Sequence, residues 1–269
     1  MEYGMPTLIE HNSLEESAAL CKELGLSFVE LNMNLPQYQV EQLEQIERLK
    51  RIAKEYGIYY TIHLDENLNV CDFNRAVAKA YRETVRRTIE VARQLQAPIL
   101  NMHMNPGIHF TLPDRKVRLF EQYNEQYMED IRSFVAECEG LLAGENIRIA
   151  IENTEGYQDY ERRAIEEMIM SDTFVLTWDI GHSYAGKESD ESFLMKHKKK
   201  LAHFHIHDGV GKKNHLTLGS GEIPLEKRLQ LAGECGCRAV IETKTVAALK
   251  QSVSWLEQSW TGDFSKNNV

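Results

Sequence analysis

The sequence predicts a single (β/α)8 barrel, a TIM barrel, that spans residues 1–269 as one α/β domain. Two observations favour this fold. Short apolar or β-branched runs alternate with longer amphipathic stretches along the chain, as in βαβ units built around a parallel sheet. The alternation occurs eight times, and 269 residues are enough for one large domain. Hydrophobic residues make up 42% of the chain and charged residues 27%, which is ordinary for a globular protein.

Eight short apolar runs are the predicted strands. Each is followed by a longer stretch whose apolar residues recur at helical spacing, so a helix is expected after each strand. In chain order, the predicted strands are Tyr3–Ile9, Ser27–Leu31, Tyr59–Leu64, Ile99–Met104, Ile147–Glu152, Phe174–Asp179, Ala202–Asp208 and Ala239–Glu242.

Helix boundary signals support the intervening stretches. Ser13 is a predicted N-cap, Glu16 follows three residues later, and Gly25 ends the first helix. Gly57 ends the second helix in the same way. The predicted helices are Leu14–Leu24, Val40–Tyr56, Asn74–Leu95, Arg118–Leu142, Tyr160–Met170, Asp190–Lys199, Leu225–Gly233 and Val246–Glu257.

An open doubly wound sheet is the second candidate fold. A glycine-rich phosphate-binding turn after the first strand would favour it. The residues at that point are Glu10-His11-Asn12-Ser13, which do not form such a turn.

Composition also bounds the partners. The N-terminus lacks the basic and apolar segments of a signal peptide, and no apolar run approaches the roughly 20 residues that span a bilayer. We therefore expect a cytoplasmic protein with no membrane partner. The net charge is −10, whereas a protein that binds nucleic acid non-specifically needs a basic face against the phosphates. We expect no nucleic-acid partner.

The seventh predicted strand carries three histidines at alternate positions. His203, His205 and His207 share one face of this strand, because successive side chains point to opposite sides. Imidazoles at the end of such a face could hold a metal ion. The alternative is that they are only hydrogen-bonded in the core.

Metal-ligand residue types also mark the ends of other strands. In a barrel, the carboxyl ends of the strands face one common site. A single carboxylate there is commonly solvated or caps a helix, but several carboxylates buried together repel one another. A divalent cation is the simplest compensation. From the third strand to the eighth, these residues are His63, His103, Glu152, Asp179, His205 and Glu242.

Three carboxylates and one imidazole suit Mn²⁺, Co²⁺, Mg²⁺ or Zn²⁺ without choosing among them. Two glutamates that flank such an ion can act as general base and general acid. The ion would polarise a carbonyl or hydroxyl oxygen and stabilise an enediolate, which is the chemistry of sugar isomerases and epimerases. Metal-assisted hydrolysis is compatible if more than one ion binds. We expect no organic cofactor.

Several motifs resemble the xylose-isomerase-like TIM-barrel superfamily. This superfamily contains sugar and sugar-phosphate isomerases and epimerases, inosose-processing enzymes and apurinic/apyrimidinic endonucleases of the endonuclease IV type. The resemblance extends from the first strand to about Leu256. The motifs are Ile151-Glu152-Asn153, Trp178-Asp179-Ile180-Gly181-His182, His203-Phe204-His205-Ile206-His207-Asp208, His215-Leu216-Thr217-Leu218-Gly219-Ser220-Gly221 and Ile241-Glu242.

The resemblance implies roles for individual residues. Glu152, Asp179, His205 and Glu242 would hold one metal ion, as in the isomerase and epimerase members. Glu152 and Glu242 would also be the acid/base pair on opposite faces of the substrate. His182, three residues after Asp179, would contact a substrate oxygen.

The endonuclease branch uses three zinc ions and more histidines. Its additional ligands would correspond to His63, His103, His182 and His215, which in a single-metal site would contact the substrate instead. That branch has an aspartate two residues before the last histidine, where this chain has Lys213. A lysine cannot replace a carboxylate ligand, which argues against a full three-metal site.

The sequence therefore predicts a metal-dependent isomerase or epimerase of a sugar, a sugar phosphate or a cyclitol-like keto compound. Lys244, two residues after Glu242, would suit a sugar oxygen or phosphate if the strand continues, and is otherwise a surface lysine. The alternatives are a zinc-dependent phosphodiesterase, a lyase or dehydratase, and a non-catalytic sugar-binding barrel. Isomerases of the superfamily are often dimers or tetramers, so a homo-oligomer is compatible with the resemblance.

Overall fold

A computed structural model describes residues 1–154 and 156–260 of the chain. Eight strands pair in parallel and close on themselves in the order β1-β12-β9-β8-β7-β4-β3-β2. The predicted (β/α)8 barrel is confirmed, while residues 261–269 of the predicted domain lie outside the described residues. The barrel strands are β1 (Glu2–Pro6), β2 (Phe28–Asn32), β3 (Tyr59–His63), β4 (Ile99–His103), β7 (Arg148–Glu152), β8 (Phe174–Asp179), β9 (Leu201–Ile206) and β12 (Arg238–Ile241).

Helices connect the strands and cover the barrel. Their apolar residues recur every three or four positions, so one face of each helix packs on the strands. In α3, for example, Ile46, Leu49 and Ile52 are buried. The helices are α1 (Leu14–Glu23), α2 (Val40–Leu43), α3 (Ile46–Tyr56), α4 (Arg75–Leu95), α5 (Leu119–Gln122), α6 (Asn124–Leu142), α7 (Asp159–Met168), α8 (Ile180–Ala185), α9 (Glu191–Lys196), α10 (Leu225–Glu234) and α11 (Val246–Ser259).

Two antiparallel hairpins, which the sequence did not indicate, project from the carboxyl end of the barrel. The first joins β5 (His109–Thr111) to β6 (Lys116–Arg118), and the second joins β10 (Asp208–Val210) to β11 (Lys213–Leu216). Their strands are short and mostly polar or exposed, so they lack the apolar run that identifies a barrel strand.

Several predicted boundaries differ from the structure, and three of them are wrong for clear local reasons. The first strand ends at Pro6 instead of Ile9, whose side chain is 78% exposed. The predicted helix 40–56 is two helices, because Gln45 has a non-helical ψ of 55°. The predicted helix 118–142 is interrupted at Tyr123, where ψ is 47°. At each of these points the apolar pattern of the sequence continues although the chain changes direction, so the pattern alone predicts too long an element.

No helix among the described residues combines the length and the apolarity that crossing a membrane requires.

The core consists of one contiguous cluster of buried side chains between the strands and the helices. Buried polar side chains inside the barrel include several at the carboxyl ends of the strands, and these form the candidate site.

Candidate metal centre and active site

Four neighbouring barrel strands bring the four predicted metal ligands together. Glu152 ends β7, Asp179 ends β8, His205 lies in β9, and Glu242 directly follows β12. One ligand atom from each lies within 4.8 Å of the others, and all four side chains are buried. We call these residues the quartet. Their proximity follows from barrel closure, because β7, β8, β9 and β12 are consecutive around the barrel.

His205 lies at the centre of the quartet. Its Nδ1 is 3.1 Å from Glu152 Oε1, 3.2 Å from Glu242 Oε2 and 4.0 Å from Asp179 Oδ2. A single imidazole nitrogen can donate one hydrogen bond, so it cannot satisfy three carboxylates. Among the described residues, Glu242 Oε2 has no hydrogen-bond partner although it is buried.

The electrostatics of the quartet are dominated by burial and mutual attraction. Burial by itself would raise the pKa of Glu152, but the neighbouring His205 and His103 hold it well below its usual range. Burial would also raise the pKa of Glu242, but His205 and Lys244 outweigh this effect and hold that pKa well below its usual value. For His205, burial favours the neutral form, yet the surrounding carboxylates raise its pKa well above its usual value. The glutamates are therefore ionised near neutral pH.

These residues could hold a metal ion. Three carboxyl side chains converge with one imidazole in a buried pocket, a set of donor atoms that a single cation can bridge. Glu242 Oε2, which is buried and accepts no hydrogen bond from the described residues, is one donor atom that such an ion could use. Three oxygen donors and one nitrogen donor fit a hard or borderline divalent cation.

The segment after β8 shows why this short motif folds as it does. Asp179 is the N-cap of α8, and its Oδ1 accepts a hydrogen bond from the backbone N–H of His182 at 2.6 Å. His207 Nε2 lies 3.1 Å from the same carboxylate. A Cβ on Gly181 would lie 1.8 Å from the His207 ring, so only glycine lets the ring approach Asp179. Asn153 fixes the backbone of Asp179 with two hydrogen bonds of 2.9 Å. The Asp179 N–H donates to Asn153 Oδ1, and Asn153 Nδ2 donates to the Asp179 carbonyl oxygen.

Glu152 is held from the side opposite His205. Its Oε2 lies 3.0 Å from His103 Nε2 and 3.4 Å from His63 Nε2. Asn101 Nδ2 donates to the same oxygen. Burial lowers the pKa of His63, but Glu152 outweighs it and raises this pKa to about 9. These contacts leave Oε1 of Glu152 facing His205.

Glu242 is oriented by two residues that lie close to it. Lys244 Nζ is 2.7 Å from Glu242 Oε1, and His215 Nδ1 is 3.1 Å from the Glu242 carbonyl oxygen. Burial lowers the pKa of His215 to about 4, so this imidazole is neutral near pH 7. The backbone N–H of His215 also donates a hydrogen bond to His207 Nδ1 at 2.7 Å.

A cavity of about 580 Å³ opens above the quartet. All five residues that the sequence predicts as substrate contacts line it, and their role stays a prediction: His63, His103, His182, His215 and Lys244. Sequence reasoning missed further lining residues: Glu66, Lys116, Arg118, Gln158 and Glu161. They come from connecting segments that lack the strand-end position by which the others were found.

Glu30 is a buried residue of the site that sequence reasoning missed. It lies in β2, and its Oε1 is 2.8 Å from His205 Nε2. Its Oε2 is 2.9 Å from His203 Nε2 and accepts a hydrogen bond from Thr61 Oγ1 at 2.8 Å. One signal was available, since Glu30 is a charged residue inside the apolar run Phe28-Val29-Glu30-Leu31.

The closed barrel and the quartet define a TIM-barrel protein with a candidate metal centre at its strand ends. More specifically, the chain belongs to the family described as xylose isomerase-like TIM barrel, which it matches over residues 18–259. The resemblance seen in the sequence motifs is thereby confirmed.

Individual relatives are more distant. An uncharacterised protein of Methanocaldococcus jannaschii is 28% identical over 176 residues, which are 64% of this chain and 65% of the relative, slightly under two thirds of its length. A D-tagatose 3-epimerase-like protein of known structure has a TM-score of 0.77 at 22% identity, with 96% of both chains covered. The apo 3-keto-D-glucoside 4-epimerase of E. coli has a TM-score of 0.74 at 17% identity, with 96% of this chain and 99% of the other covered. At such identities the structural likeness shows a shared fold.

Proposed function

We propose that the protein is a metal-dependent isomerase or epimerase of a sugar or a related keto compound, and that it works by glutamate-mediated proton transfer. The observation that carries this proposal is the quartet itself, with two glutamates and an aspartate around one imidazole, of which Glu152 and Glu242 line the cavity. The names of the two solved structures, both of which include epimerase, support the same class of reaction. A binding module would need no paired, ionised carboxylates.

Glu152 and Glu242 are suited to be the acid/base pair. Their strands, β7 and β12, are the outer two of the four adjacent strands, so the carboxylates reach the quartet from opposite sides. The low pKa of each keeps it ionised, so either can take a proton from carbon and return it as an acid. Epimerisation requires transfer on both faces of the carbon, and isomerisation requires transfer between neighbouring carbons.

Glu152, Asp179, His205 and Glu242 would hold one Mn²⁺, Co²⁺, Mg²⁺ or Zn²⁺. When bound, the ion supplies a Lewis acid that polarises the substrate carbonyl and makes the adjacent carbon more acidic. Lys244, whose Nζ lies on Glu242, would donate to a substrate oxygen and keep that carboxylate charged. His182 and His215, on the wall of the cavity, would hydrogen-bond further hydroxyl groups.

The test is proton exchange with solvent. Purified protein is analysed for metal by elemental mass spectrometry and incubated with a panel of ketoses in D2O. We expect one equivalent of divalent metal and deuterium at a carbon next to the carbonyl, detected by NMR. Glu152→Gln and Glu242→Gln should each slow exchange by roughly 10²- to 10⁴-fold, the usual contribution of a general base.

Glu2→Gln is the control, because it removes a carboxylate from an exposed position at the start of β1, outside the cavity lining. It should retain exchange within a few-fold. Full exchange by Glu152→Gln or Glu242→Gln, with the fold intact by circular dichroism, would overturn the acid/base assignment.

A zinc-dependent phosphodiesterase is the second candidate. Its support is that His63 and His103 both approach Glu152 Oε2, so this carboxylate could bridge two ions. Lys213 lies at an exposed position of β11 where a third site would need a carboxylate. Cleavage of a duplex that contains an abasic site, together with two or more equivalents of zinc, would favour this candidate over the first.

A further inference from the structure

The β5–β6 hairpin presents a cationic face to the cavity. In its register, His109 lies opposite Arg118, and Thr111 lies opposite Lys116. Residues opposite each other in an antiparallel pair share one face of the hairpin. The cavity is lined by His109, Lys116 and Arg118. Two cationic side chains, Lys116 and Arg118, thus face the site of a chain whose net charge is −10.

These two cations have no partner within the described part of the chain. Neither Arg118 nor Lys116 makes an ion pair or a side-chain hydrogen bond to any residue in 1–154 or 156–260. Arg115, on the same hairpin, forms an ion pair with Asp114 at 2.9 Å and does not line the cavity. An arginine that lines a cavity without a partner is available to a ligand.

Within residues 1–154 and 156–260, the carboxylates that line the cavity form no ion pair with this face. Glu66 accepts a hydrogen bond from Asn34 Nδ2 at 2.8 Å. Glu152 and Glu242 are committed to the histidines of the site and to Lys244. Glu161 lies close enough to Arg118 to feel its charge, but burial raises the pKa of Glu161 to about 7. Its carboxylate also accepts the backbone N–H of Gln158 at 2.7 Å, as the first turn of α7 requires.

The hairpin is fixed relative to the barrel. Gly107, just before β5, has φ of +69° and packs so closely on Phe120 that a Cβ would lie 2.6 Å from the ring. The N–H of Leu119 donates to the Ile108 carbonyl at 2.9 Å, which closes the base of the hairpin. Tyr160 Oη donates to the Pro106 carbonyl at 2.9 Å. Arg118, at this base, is therefore held in place beside the cavity.

We propose that Arg118 and Lys116 form a subsite for a phosphate monoester, so that the substrate is a phosphorylated keto compound. A phosphate monoester carries a charge of about −1.5 to −2 at pH 7, which matches two cations better than a carboxylate does. Arginine binds its oxygens through a planar fork of donors, and lysine adds a point charge. This inference rests on the proposed function, since the quartet would act on the carbonyl end while the hairpin binds the phosphate.

The first experiment measures binding and does not depend on turnover. Inorganic phosphate and D-fructose 6-phosphate are titrated calorimetrically into the metal-loaded protein at constant ionic strength, with D-fructose and D-glucuronate as comparison ligands. Both phosphate probes should bind more tightly than D-fructose and D-glucuronate. Arg118→Gln and Lys116→Gln should each weaken phosphate binding by about 10- to 100-fold, the usual loss for a hydrogen bond to a charged group.

Arg115→Gln is the matched control, because it removes one positive charge from the same hairpin outside the cavity. It should change phosphate affinity less than about twofold. An equal loss in Arg115→Gln, no phosphate binding by the wild type, or tighter binding of D-glucuronate than of D-fructose 6-phosphate would overturn the subsite.

Deuterium exchange on the same ligands separates this inference from the proposed function. Phosphate binding that depends on Arg118, without exchange on any ketose, would contradict the isomerase proposal and leave the subsite standing. Exchange on D-fructose as fast as on D-fructose 6-phosphate, with no effect of Arg118→Gln, would contradict the subsite and leave the isomerase proposal standing.

Discussion

His205 Nε2 lies 2.8 Å from Glu30 Oε1, so the imidazole at the centre of the quartet is held between two sets of carboxylates. Its other nitrogen, Nδ1, faces Glu152 and Glu242. Carboxylates that contact the remote nitrogen of a metal-binding histidine orient the ring and increase its basicity. If His205 binds a metal ion as proposed, Glu30 has the position of a residue that would orient it as a ligand.

Glu30→Gln should weaken binding of a divalent cation by about 10- to 100-fold, the usual effect of losing such a partner. The glutamine keeps the size of the side chain but removes the charge beside Nε2. The affinity is measured by calorimetric titration of Mn²⁺ or Zn²⁺ into protein freed of metal.

The control for Glu30→Gln is Glu2→Gln, which removes a carboxylate from an exposed position at the start of β1. This variant should bind the cation as the wild type does. Unchanged affinity in Glu30→Gln would show that the contact with His205 has no influence on the metal.

Metal loading should stabilise the fold, because a cation offsets the repulsion among Glu152, Asp179 and Glu242. At a free concentration one hundred times the Kd, binding adds about 2.7 kcal/mol to the free energy of unfolding. For a chain of this size the melting temperature should rise by roughly 5–10 °C. The measurement is calorimetry with and without Mn²⁺ or Zn²⁺. Asp179→Asn should show a much smaller rise, and an equal rise would place the bound ion elsewhere.

Glu161 should make stability depend on pH. Burial raises its pKa in the folded protein from its ordinary 4.5 to about 7, so the folded state keeps a proton that the unfolded state releases between these values. The contribution of Glu161 to stability is greatest below pH 4.5 and is lost as the pH rises through 7. The difference in the free energy of unfolding between Glu161→Gln and the wild type should therefore shift in favour of the variant by up to about 3 kcal/mol as the pH rises from below 4.5 to above 7.

This gain is measured by urea unfolding of both proteins at several pH values. Glutamine can still accept the hydrogen bond from the Gln158 N–H, so the first turn of α7 is preserved. Glu129→Gln removes a carboxylate from the exposed face of α6 and is the control for the loss of one negative charge. A pH-independent difference for Glu161→Gln would contradict the assignment.

Gly107→Ala should destabilise the protein and disturb the β5–β6 hairpin. Its φ of +69° costs an alanine roughly 1–2 kcal/mol, and the contact with Phe120 adds about 1–3 kcal/mol. Gly57→Ala separates the two effects, because Gly57 has φ of +70° with open space around it. Urea unfolding should show a larger loss at Gly107 than at Gly57, and equal losses would mean that Phe120 yields freely.

The sequence predicted the order of the barrel strands because their signals are local. Runs such as Ile147–Glu152 and Phe174–Asp179 combine β-forming residues with a polar residue at the end, and the structure ends β7 and β8 at the same residues. Parallel strands then place Glu152 and Asp179 at one end of the barrel. The structure brings the quartet together, while its role in metal binding stays a prediction.

Two other features could not be predicted from the sequence, because no local pattern of residues marks them. The break at Gln45 and the β5–β6 hairpin depend on how the chain changes direction over the barrel, and no apolar period marks them. Arg118 was therefore predicted to begin a helix, whereas it ends a strand that faces the cavity.

By itself the sequence determined the fold class and the approximate ends of the barrel strands, because alternation and spacing are properties of short segments. Only the tertiary structure decided which side chains meet. Glu30 reaches His205 across the closed barrel, and Arg118 faces the cavity of the quartet from an inserted hairpin. Both relationships join residues far apart in the chain, and such contacts are fixed by barrel closure and packing rather than by local pattern.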